Sequence, residues 1–244
     1  MCGFCGGGGI SRRQFIYGGL AAPLTLGMPR KDGLVEPALR LQPQTGPRRV
    51  AVTLDACPGH FDPRIANLLV ERNIPATIFI TEVWMRMNPA GLAFFLKHPQ
   101  IFTLENHGAR HLPPVLGAQR VYGLEVAGSW PAIVSEITGG AEAIYRVTGR
   151  HPVWYRGAAG LYTPSVIPQI EALGVRVAGY SLVSDAGASL PAELVAARIK
   201  AARDGDVIEG HINQPKRSSG AGIAAGLVAL QQGGVQFVSL GDAA

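Results

Sequence analysis

The sequence contains little cysteine, few aromatic residues and no long apolar run, and each shortage excludes a class of protein. Three Cys in 244 residues are too few for the disulfide framework that stabilises small secreted domains. No apolar run reaches the roughly 18–20 residues that a membrane-spanning helix needs. Aromatic and charged residues make up only 7% and 16% of the chain, but 47% is hydrophobic, which excludes an intrinsically disordered protein. A chain of this length can bury a sizeable core as one domain.

The net charge of +5 and the isoelectric point near 9.4 would suit a nucleic-acid-binding protein, but the charge is unevenly distributed. Residues 1–32 hold four of the 22 Lys and Arg and one of the 17 Asp and Glu, so the remainder carries +2. That remainder has no dense basic cluster, and few aromatic residues lie among its basic residues. The sequence therefore predicts no nucleic-acid partner.

Residues 1–32 are predicted to be an export signal. Arg12 and Arg13 precede a mostly apolar stretch, Phe15–Met28, which is too short and too rich in Gly and Pro for a stable spanning helix. This pattern is typical of a twin-arginine signal, which implies the twin-arginine export machinery as a partner and a periplasmic or extracellular location. No Ala-x-Ala precedes residue 33. An uncleaved signal anchor therefore stays open beside a mature protein without a transmembrane domain.

Strands and helices are predicted to alternate through a single domain at 49–240, after a proline-containing linker at 33–48. Seven apolar runs predict strands: Val50–Asp55, Ala76–Ile80, Ile101–Leu104, Pro152–Tyr155, Val175–Tyr180, Asp206–Glu209 and Val235–Ser239. Near-continuous apolar strands favour an α/β fold with a parallel sheet covered by helices. Seven units suit a closed or nearly closed β/α barrel, with a doubly wound open sheet as the competing topology. No Gly-x-Gly-x-x-Gly follows the first strand, which argues against a dinucleotide fold.

Candidate catalytic groups lie where the predicted strands end. They are Asp55 after the first strand, His107 and His111 after the third, Arg156 after the fourth, Asp185 after the fifth and His211 after the sixth. Because the strands of a β/α barrel present their carboxyl ends at one mouth, we expect these groups to converge there. His107 and His111 are four positions apart, so a helical turn would direct both at one metal. Zinc binds imidazole nitrogen readily.

Four sequence blocks in a fixed order make this pattern more specific. They are Val52–Asp55, Asn106–His111, Trp154–Gly157 and Val207–His211. Together they resemble the polysaccharide deacetylase family, also called the NodB-homology domain or carbohydrate esterase family four, over about residues 49–240. The resemblance implies a distorted seven-stranded β/α barrel. It also implies a hydrolase of non-peptide C–N bonds that uses a metal to remove N- or O-acetyl groups from sugars.

The resemblance implies roles for the residues around the metal. His107 and His111 match the two histidine ligands of the family, and Asp55 matches the carboxylate that serves as general base. Arg156 matches an arginine that pairs with that base, and a neighbouring guanidinium would keep Asp55 ionised. A divalent metal, zinc above all, would polarise the acetyl carbonyl and lower the pKa of water.

The resemblance also implies a general acid, whereas the candidate substrate contacts are inferred from residue type alone. His211 matches the general acid that protonates the leaving amine or alcohol, and Asp185 is the candidate carboxylate that orients it. Such a carboxylate would raise the pKa of His211, so that the imidazole is protonated at neutral pH. Tyr155 and Tyr162 are candidate substrate-binding residues, because an aromatic face suits the apolar C–H patches of a sugar.

The first block departs from the family pattern at one position. The family has two adjacent aspartates there, the second of which ligates the metal, whereas this sequence has Ala56. Three solutions stay open: Asp55 moves onto the metal, Cys57 supplies a thiolate, or the site binds metal weakly or not at all. Cys57 follows Asp55 by two residues, so both side chains point the same way in an extended chain, and thiolate is a good zinc ligand.

The sequence thus predicts an exported, metal-dependent hydrolase that removes acetyl groups from a carbohydrate such as an envelope polysaccharide or oligosaccharide. Two alternatives stay open. One is a catalytically weak carbohydrate-binding pseudo-enzyme, and the other is a hydrolase of other non-peptide C–N bonds. The presence of Asp55, Arg156 and His211 favours an enzyme, because binding alone requires neither a base nor an acid.

Overall fold

The computed structural model describes residues 33–243, so the predicted export signal at 1–32 lies outside the described residues. In chain order the elements are β1 (Arg49–Ala56), α1 (Pro63–Glu71), β2 (Ala76–Ile80), α2 (Glu82–Met87), α3 (Pro89–Lys97), β3 (Phe102–Asn106), β4 (Arg120–Val121), β5 (Leu124–Glu125), α4 (Trp130–Thr148), β6 (Trp154–Tyr155), α5 (Val166–Glu171), β7 (Arg176–Val177), β8 (Leu182–Val183), α6 (Ala192–Lys200), β9 (Asp206–His211), α7 (Ser219–Gln232), β10 (Gln236–Val238) and α8 (Leu240–Ala243). Within residues 33–243, no helix combines the length and hydropathy needed to cross a bilayer.

A curled parallel sheet forms the centre of the domain. Seven strands follow the order β7-β6-β3-β2-β1-β9-β8, and β10 pairs with the first residues of β1. In a flat sheet β6 would lie three strand spacings from β1, or about 14 Å away. Yet Arg156, directly after β6, places its Nη1 atom 2.8 Å from Asp55 Oδ1 on β1. The sheet therefore curls into a half-barrel, which confirms the predicted α/β fold, a distorted seven-stranded parallel barrel in one domain.

Apolar side chains pack on both faces of this sheet. On the outer face, Val52 and Ile78 belong to a core shared with residues of α1, α3, α6 and α7. On the inner face, Ala51, Phe79 and Trp154 form a second core. Because both faces are covered, the central strands are apolar almost throughout, and the strand signal in the sequence is strong.

Residues 34–41, called the N-terminal strap below, are part of the barrel although the sequence predicts a linker at 33–48. Leu39 and Leu41 are 3% and 4% exposed and belong to the inner core. Backbone bridges join the strap to three other segments, pairing Val35 with Tyr162, Ala38 with Tyr180 and Arg40 with Asp206. Gly179 permits the close approach, since a Cβ atom there would collide with the carbonyl oxygen of Pro37. The strap covers the side of the half-barrel that lies between the edge strands β7 and β8.

All seven predicted strands are present, although β6 and β7 are only two residues long. The short strand β8 and the hairpin β4–β5 have no counterpart in the prediction, because two-residue strands carry no periodic pattern. The hairpin turns at Tyr122 and Gly123, whose φ angles of 49° and 79° are typical of a type I′ turn.

Candidate active site and metal centre

Asp55 is held in place by a buried ion pair. Arg156 Nη1 donates to Asp55 Oδ1 at 2.8 Å, and Arg156 Nη2 donates to Thr53 Oγ1 at 2.9 Å. Burial by itself would raise the pKa of Asp55. The charge of Arg156, with smaller contributions from His107 and His211, outweighs burial and lowers the pKa below its ordinary value. Asp55 is therefore an ionised carboxylate with a fixed orientation. Arg156 binds only its Oδ1 atom and does not bind Oδ2.

A thiol and two imidazoles form a second group at the same mouth. Cys57 Sγ lies 3.3 Å from His107 Nε2, and the ring centroids of His107 and His111 are 5.0 Å apart. One ligand atom from each of the three residues lies within 4.8 Å of the other two. These are sulfur and nitrogen donors of the kind that zinc prefers.

The tautomer of His107 follows from its second contact. Its Nδ1 atom lies 2.7 Å from the backbone carbonyl oxygen of Arg156. Because a carbonyl only accepts, Nδ1 carries the hydrogen, and in the neutral ring the Nε2 lone pair faces Cys57. Burial by itself would lower the pKa of His107, but Asp55 and Cys57 raise it. Burial would likewise raise the pKa of Cys57, but His111 and His107 lower it well below its ordinary value, which favours the thiolate.

The loop that carries both histidines is held by Glu136 on α4. This buried carboxylate accepts the backbone N–H groups of Arg110 and Leu112 at 2.9 and 3.2 Å and the Arg110 Nε–H at 2.8 Å. Residues 107–111 do not form the helical turn that was predicted from the spacing of the two histidines. Gly108 and His111 have φ angles of 90° and 71°, and this turn brings the two imidazoles together. The sequence analysis did not identify Glu136 as part of the site. The available signal was an acidic residue within the apolar stripe of α4, because a buried carboxylate needs hydrogen-bond donors.

His211, on the other side of the mouth, contacts two carboxylates. Its Nδ1 atom lies 2.9 Å from Asp185 Oδ1 and 3.2 Å from Glu209 Oε1. The backbone N–H of His211 donates to Asp185 Oδ2 at 2.9 Å. Burial by itself would lower the pKa of His211, but Glu209, Asp185 and a contact with the Cys57 thiol raise it well above its ordinary value. The imidazole is therefore protonated at neutral pH, and Nε2 is the ring atom that remains to donate to a substrate.

Glu209 is a member of this site that sequence reasoning did not assign. It is buried on β9, in register with Thr53 on β1. Burial, together with the carboxylates of Asp55 and Asp185, raises its pKa to about 8, although His211 opposes the shift. Its position two residues before His211, on the same face of the strand, was the available signal.

A cavity of about 640 Å³ opens beside these groups, a volume within the usual range for a small-ligand site. Asp55, Cys57, His111, Glu209 and His211 line it. The rest of the wall comes from several segments and includes Glu36 of the strap, Tyr122 and Leu124 of the hairpin, Tyr180, Val183 and Asn213. No Lys or Arg is among the described residues of this lining.

The two tyrosines that were predicted to bind substrate are buried behind the site, and that assignment is corrected. Tyr155 and Tyr162 are 1% and 0% exposed and pack edge to face, and Tyr162 Oη accepts the N–H of Gly157 at 2.6 Å. Residues alternate along β6, so Tyr155 points outward to the helices. Tyr122 and Tyr180 are the aromatic residues that line the cavity instead.

A second set of potential ligands consists of Asp55, Glu209 and His211, whose ligand atoms also lie within 4.8 Å of one another. It suits a metal less well, because it has no sulfur and its one imidazole is paired with Asp185 and protonated. The group of Cys57, His107 and His111 is therefore the better candidate metal centre.

Comparison with known proteins agrees with this geometry. The family model for polysaccharide deacetylases matches residues 42–178. A solved peptidoglycan N-acetylglucosamine deacetylase, Bc1960, is 18% identical, with a TM-score of 0.69, and the match covers 84% of this chain and 91% of that one. PdaA of Bacillus subtilis, a family 4 carbohydrate esterase, is 18% identical, with a TM-score of 0.65 and coverages of 84% and 83%.

A third similar structure is a family 4 pseudoenzyme from Bacillus anthracis, which is 15% identical, with a TM-score of 0.65. The match covers 82% of this chain and 66% of the pseudoenzyme. No curated protein matches the sequence. The structural likenesses show the shared fold, and the family match spans more than half of the chain. The chain therefore belongs to the polysaccharide deacetylase family, whose members are hydrolases of the amide C–N bond of acetyl groups.

Proposed function

We propose that the chain is an exported, zinc-dependent deacetylase that removes acetyl groups from an envelope polysaccharide or oligosaccharide. The observation that carries the proposal is one cavity lined by an ionised Asp55, a protonated His211 and two of the three residues of a thiol–imidazole group. A base, an acid and a set of metal ligands at one pocket are what acetyl hydrolysis requires.

The residues at the mouth fit a zinc ion. Cys57, His107 and His111 offer three donor atoms in close proximity. The Nε2 atom of His111 is buried and has no hydrogen-bond partner among the described residues, which is costly for a polar atom unless a ligand satisfies it. A zinc ion held there would supply Lewis-acid polarisation of the acetyl carbonyl and would lower the pKa of water.

The protein side chains then divide the proton transfers. Asp55 Oδ2 accepts a proton from the attacking water, while Arg156 holds Oδ1 and keeps the carboxylate ionised. His211 Nε2 donates a proton to the leaving amine as the C–N bond breaks, which gives acetate and a free amine. Asp185 holds Nδ1 and so fixes the orientation of the imidazole during the transfer.

An N-acetylated amino sugar is the substrate class that this proposal favours. Tyr122 and Tyr180 offer ring faces at the cavity, and an aromatic face packs well against the C–H face of a sugar. One solved structure of the same fold is a peptidoglycan N-acetylglucosamine deacetylase. An exported enzyme would also meet envelope polysaccharides.

Acetate release from a panel of glycans tests the proposal. The panel contains chitin oligosaccharides, peptidoglycan fragments and an O-acetylated xylan, each incubated with zinc-loaded, chelator-treated and zinc-reloaded protein. We expect acetate release that disappears on chelation, returns with zinc, and falls strongly in Asp55→Asn and His211→Ala variants. Metal-independent release, or no release from any glycan by the zinc-loaded protein, contradicts the proposal.

Ala56 favours a second candidate, a carbohydrate-binding protein with little turnover. The residue is buried and carries no donor atom where the family has a metal-ligating aspartate. A similar structure is described as a pseudoenzyme, and another as its mutant with restored enzymatic activity. Glycan binding without acetate release, unchanged in Asp55→Asn, would support this candidate.

Export by the twin-arginine route is the remaining part of the proposal. Its support is the Arg12–Arg13 pair ahead of a short apolar stretch. We expect an Arg12→Lys/Arg13→Lys variant to accumulate in the cytoplasm, as judged by cell fractionation and immunoblotting. An Arg30→Lys variant serves as the control. Unchanged distribution of the double variant would contradict this route.

A further inference from the structure

We propose that Cys57 is the third protein ligand of the metal and that Asp55 stays outside the coordination sphere. This inference rests on the metal dependence proposed above and concerns the position that Ala56 leaves without a donor. Of the three solutions that the sequence leaves open, a thiolate ligand at position 57 agrees best with the contacts at the mouth. The reasons are the spacing of the donor atoms, the orientation of the two imidazoles and the contacts that already occupy Asp55.

The spacing of the donor atoms matches shared coordination. Zinc–sulfur and zinc–nitrogen bonds of about 2.3 and 2.0 Å in a tetrahedral site place sulfur and nitrogen about 3.5 Å apart. The observed separation of Cys57 Sγ and His107 Nε2 is 3.3 Å. A metal can therefore bind between these atoms with shifts of only a few tenths of an ångström.

Both imidazoles present a nitrogen for this purpose. The carbonyl oxygen of Arg156 fixes the Nδ1–H of His107, which directs the Nε2 lone pair at Cys57. Metal-ligating histidines commonly donate their other N–H to a carbonyl in this way. His111 Nε2 is buried without a hydrogen-bond partner within the described part of the chain. Among the described residues, Cys57 is the cysteine with which these two histidines form a potential metal-binding group.

Asp55 is already occupied by other contacts. Arg156 binds its Oδ1 atom, and the same guanidinium is anchored to Thr53 Oγ1 and to the Gly179 carbonyl. Its Oδ2 atom lies 3.7 Å from His107 Nε2. Asp55 is also not a member of the thiol–imidazole group, whose ligand atoms all lie within 4.8 Å of one another, so it would have to shift within its buried pair with Arg156 to join the other ligands. The carboxylate therefore stays beside the metal centre as a base.

Strand geometry explains why Cys57 replaces the missing donor. Ala56 belongs to the apolar core on the outer face of the sheet. Successive side chains point to opposite faces of a strand. Asp55 and Cys57, one residue to either side of Ala56, both line the cavity. A donor at position 57 therefore reaches the pocket from the same side as Asp55.

Cobalt substitution tests the inference by a readout that is independent of activity. The experiment uses the full chain in a Cys2→Ser/Cys5→Ser background, so that Cys57 is its only thiol. We expect one bound Co²⁺ with a thiolate-to-cobalt charge-transfer band in the near ultraviolet. Cys57→Ser should abolish the band and weaken metal binding by at least about tenfold, the smallest loss typical even for the outer partners of metal ligands.

Two matched variants separate the ligand from the base. Asp55→Asn should bind cobalt with the charge-transfer band intact, whereas His107→Ala should lose cobalt. Tight cobalt binding without the band in the parent protein overturns the thiolate assignment and leaves the proposed function standing. No cobalt binding by the parent protein overturns both. Loss of cobalt in Asp55→Asn to the same degree as in His107→Ala overturns the placement of Asp55 outside the sphere.

Alkylation of Cys57 gives a second readout that needs no substitution at position 57. With zinc bound, we expect iodoacetamide to modify Cys57 at least about tenfold more slowly than in the chelated protein, because a ligating thiolate is not available as a nucleophile. Mass spectrometry of the tryptic peptide measures the rate. Equal rates with and without zinc, or an acetyl thioester trapped on Cys57 during turnover, would overturn the inference.

Discussion

The two sides of the barrel mouth differ in the kind of polar groups that they hold. On the metal side, Cys57, His107 and His111 place a sulfur atom and two imidazole nitrogens within 4.8 Å of one another. On the acid side, the Nδ1 atom of His211 is within reach of two carboxylates. Clustered sulfur and nitrogen atoms are suited to holding a zinc ion, whereas an imidazole beside carboxylates is suited to holding a proton.

Arg156 joins the two sides and explains how they cooperate. Its guanidinium binds Asp55, and its carbonyl oxygen orients His107. The base and one metal ligand are thus positioned by the same residue at the end of β6. The following predictions separate the two sides of the mouth, from the largest expected effect to the smallest.

Loss of His211 should remove the acid and leave the metal side intact. His211→Ala should lower kcat by about 10²–10⁴-fold, the usual contribution of general acid catalysis. Zinc content should not change, since His211 is not one of the three proposed ligands. Acetate release and elemental analysis of the same preparation measure both quantities. Loss of zinc in this variant would show that the two sides are not separate.

Loss of Arg156 should weaken the fold, because Asp55 is then a buried charge without its partner. We expect Arg156→Met to lower the free energy of unfolding by about 3–5 kcal/mol, as for other broken buried pairs. Urea denaturation measures the change. The control is Arg120→Met, which breaks an exposed pair with Glu125 and should cost at most about 1 kcal/mol. Equal losses in the two variants would contradict a special role for Arg156.

Glu136 should affect the metal side alone. Glu136→Gln keeps the size of the side chain but removes the charge that binds the loop of His107 and His111. We expect zinc affinity to fall by about 10–100-fold, as for other residues that orient metal ligands. A zinc competition titration measures it, with the exposed Glu142→Gln on the same helix as control. Unchanged affinity would mean that the loop needs no such support.

Asp185 should set the pH above which kcat/KM falls, because Glu209 and Asp185 raise the pKa of His211. The pKa of His211 is raised, so its proton is present below that pKa and lost as the pH rises through it. Asp185→Asn removes one of the charges that raise it, so the alkaline fall of kcat/KM should move to lower pH, and Glu209→Gln should shift it in the same direction. Profiles between about pH 6 and 10 measure the shift. If the alkaline fall of kcat/KM stays at the same pH in both variants, His211 is not the acid.

The same linkage applies to stability. A group whose pKa is raised by folding contributes stability that is present below its ordinary pKa and lost as the pH rises through the raised pKa. The wild-type protein should therefore lose more stability on alkaline titration than Asp185→Asn does. Chemical denaturation at a series of pH values, with metal removed, tests this expectation.

Tyr122 should have the smallest effect, on substrate binding alone. Tyr122 is 70% exposed and belongs to the cavity lining. Loss of a stacking contact worth about 0.5–1.5 kcal/mol should raise KM by about two- to tenfold in Tyr122→Ala. Tyr145→Ala, an exposed tyrosine on α4 away from the cavity lining, should leave KM unchanged. Equal KM values for the two variants would exclude stacking at the hairpin.

The sequence was informative where apolar patterning and strand position decide the structure. The central strands β1, β2 and β9 are buried on both faces, so their apolar runs predict them well, and side chains at their carboxyl ends share one mouth. The strap and the hairpin were not predicted as parts of the site. The leucines of the strap carry no regular period, and two-residue strands leave no pattern. Tyr155 was misjudged because a two-residue strand does not reveal which face its side chain takes.

Taken by itself, the sequence determined the β/α architecture and the family, and it predicted a set of candidate catalytic residues at the strand ends, because these features follow from local pattern. The catalytic and ligand roles of those residues remain predictions for the experiments above. Only the tertiary structure decided which of them touch. The curl of the sheet brings Arg156 to Asp55, the turn held by Glu136 brings His111 to His107, and Cys57 meets both imidazoles. These contacts join residues as far as about a hundred positions apart, and such contacts depend on packing rather than on local pattern.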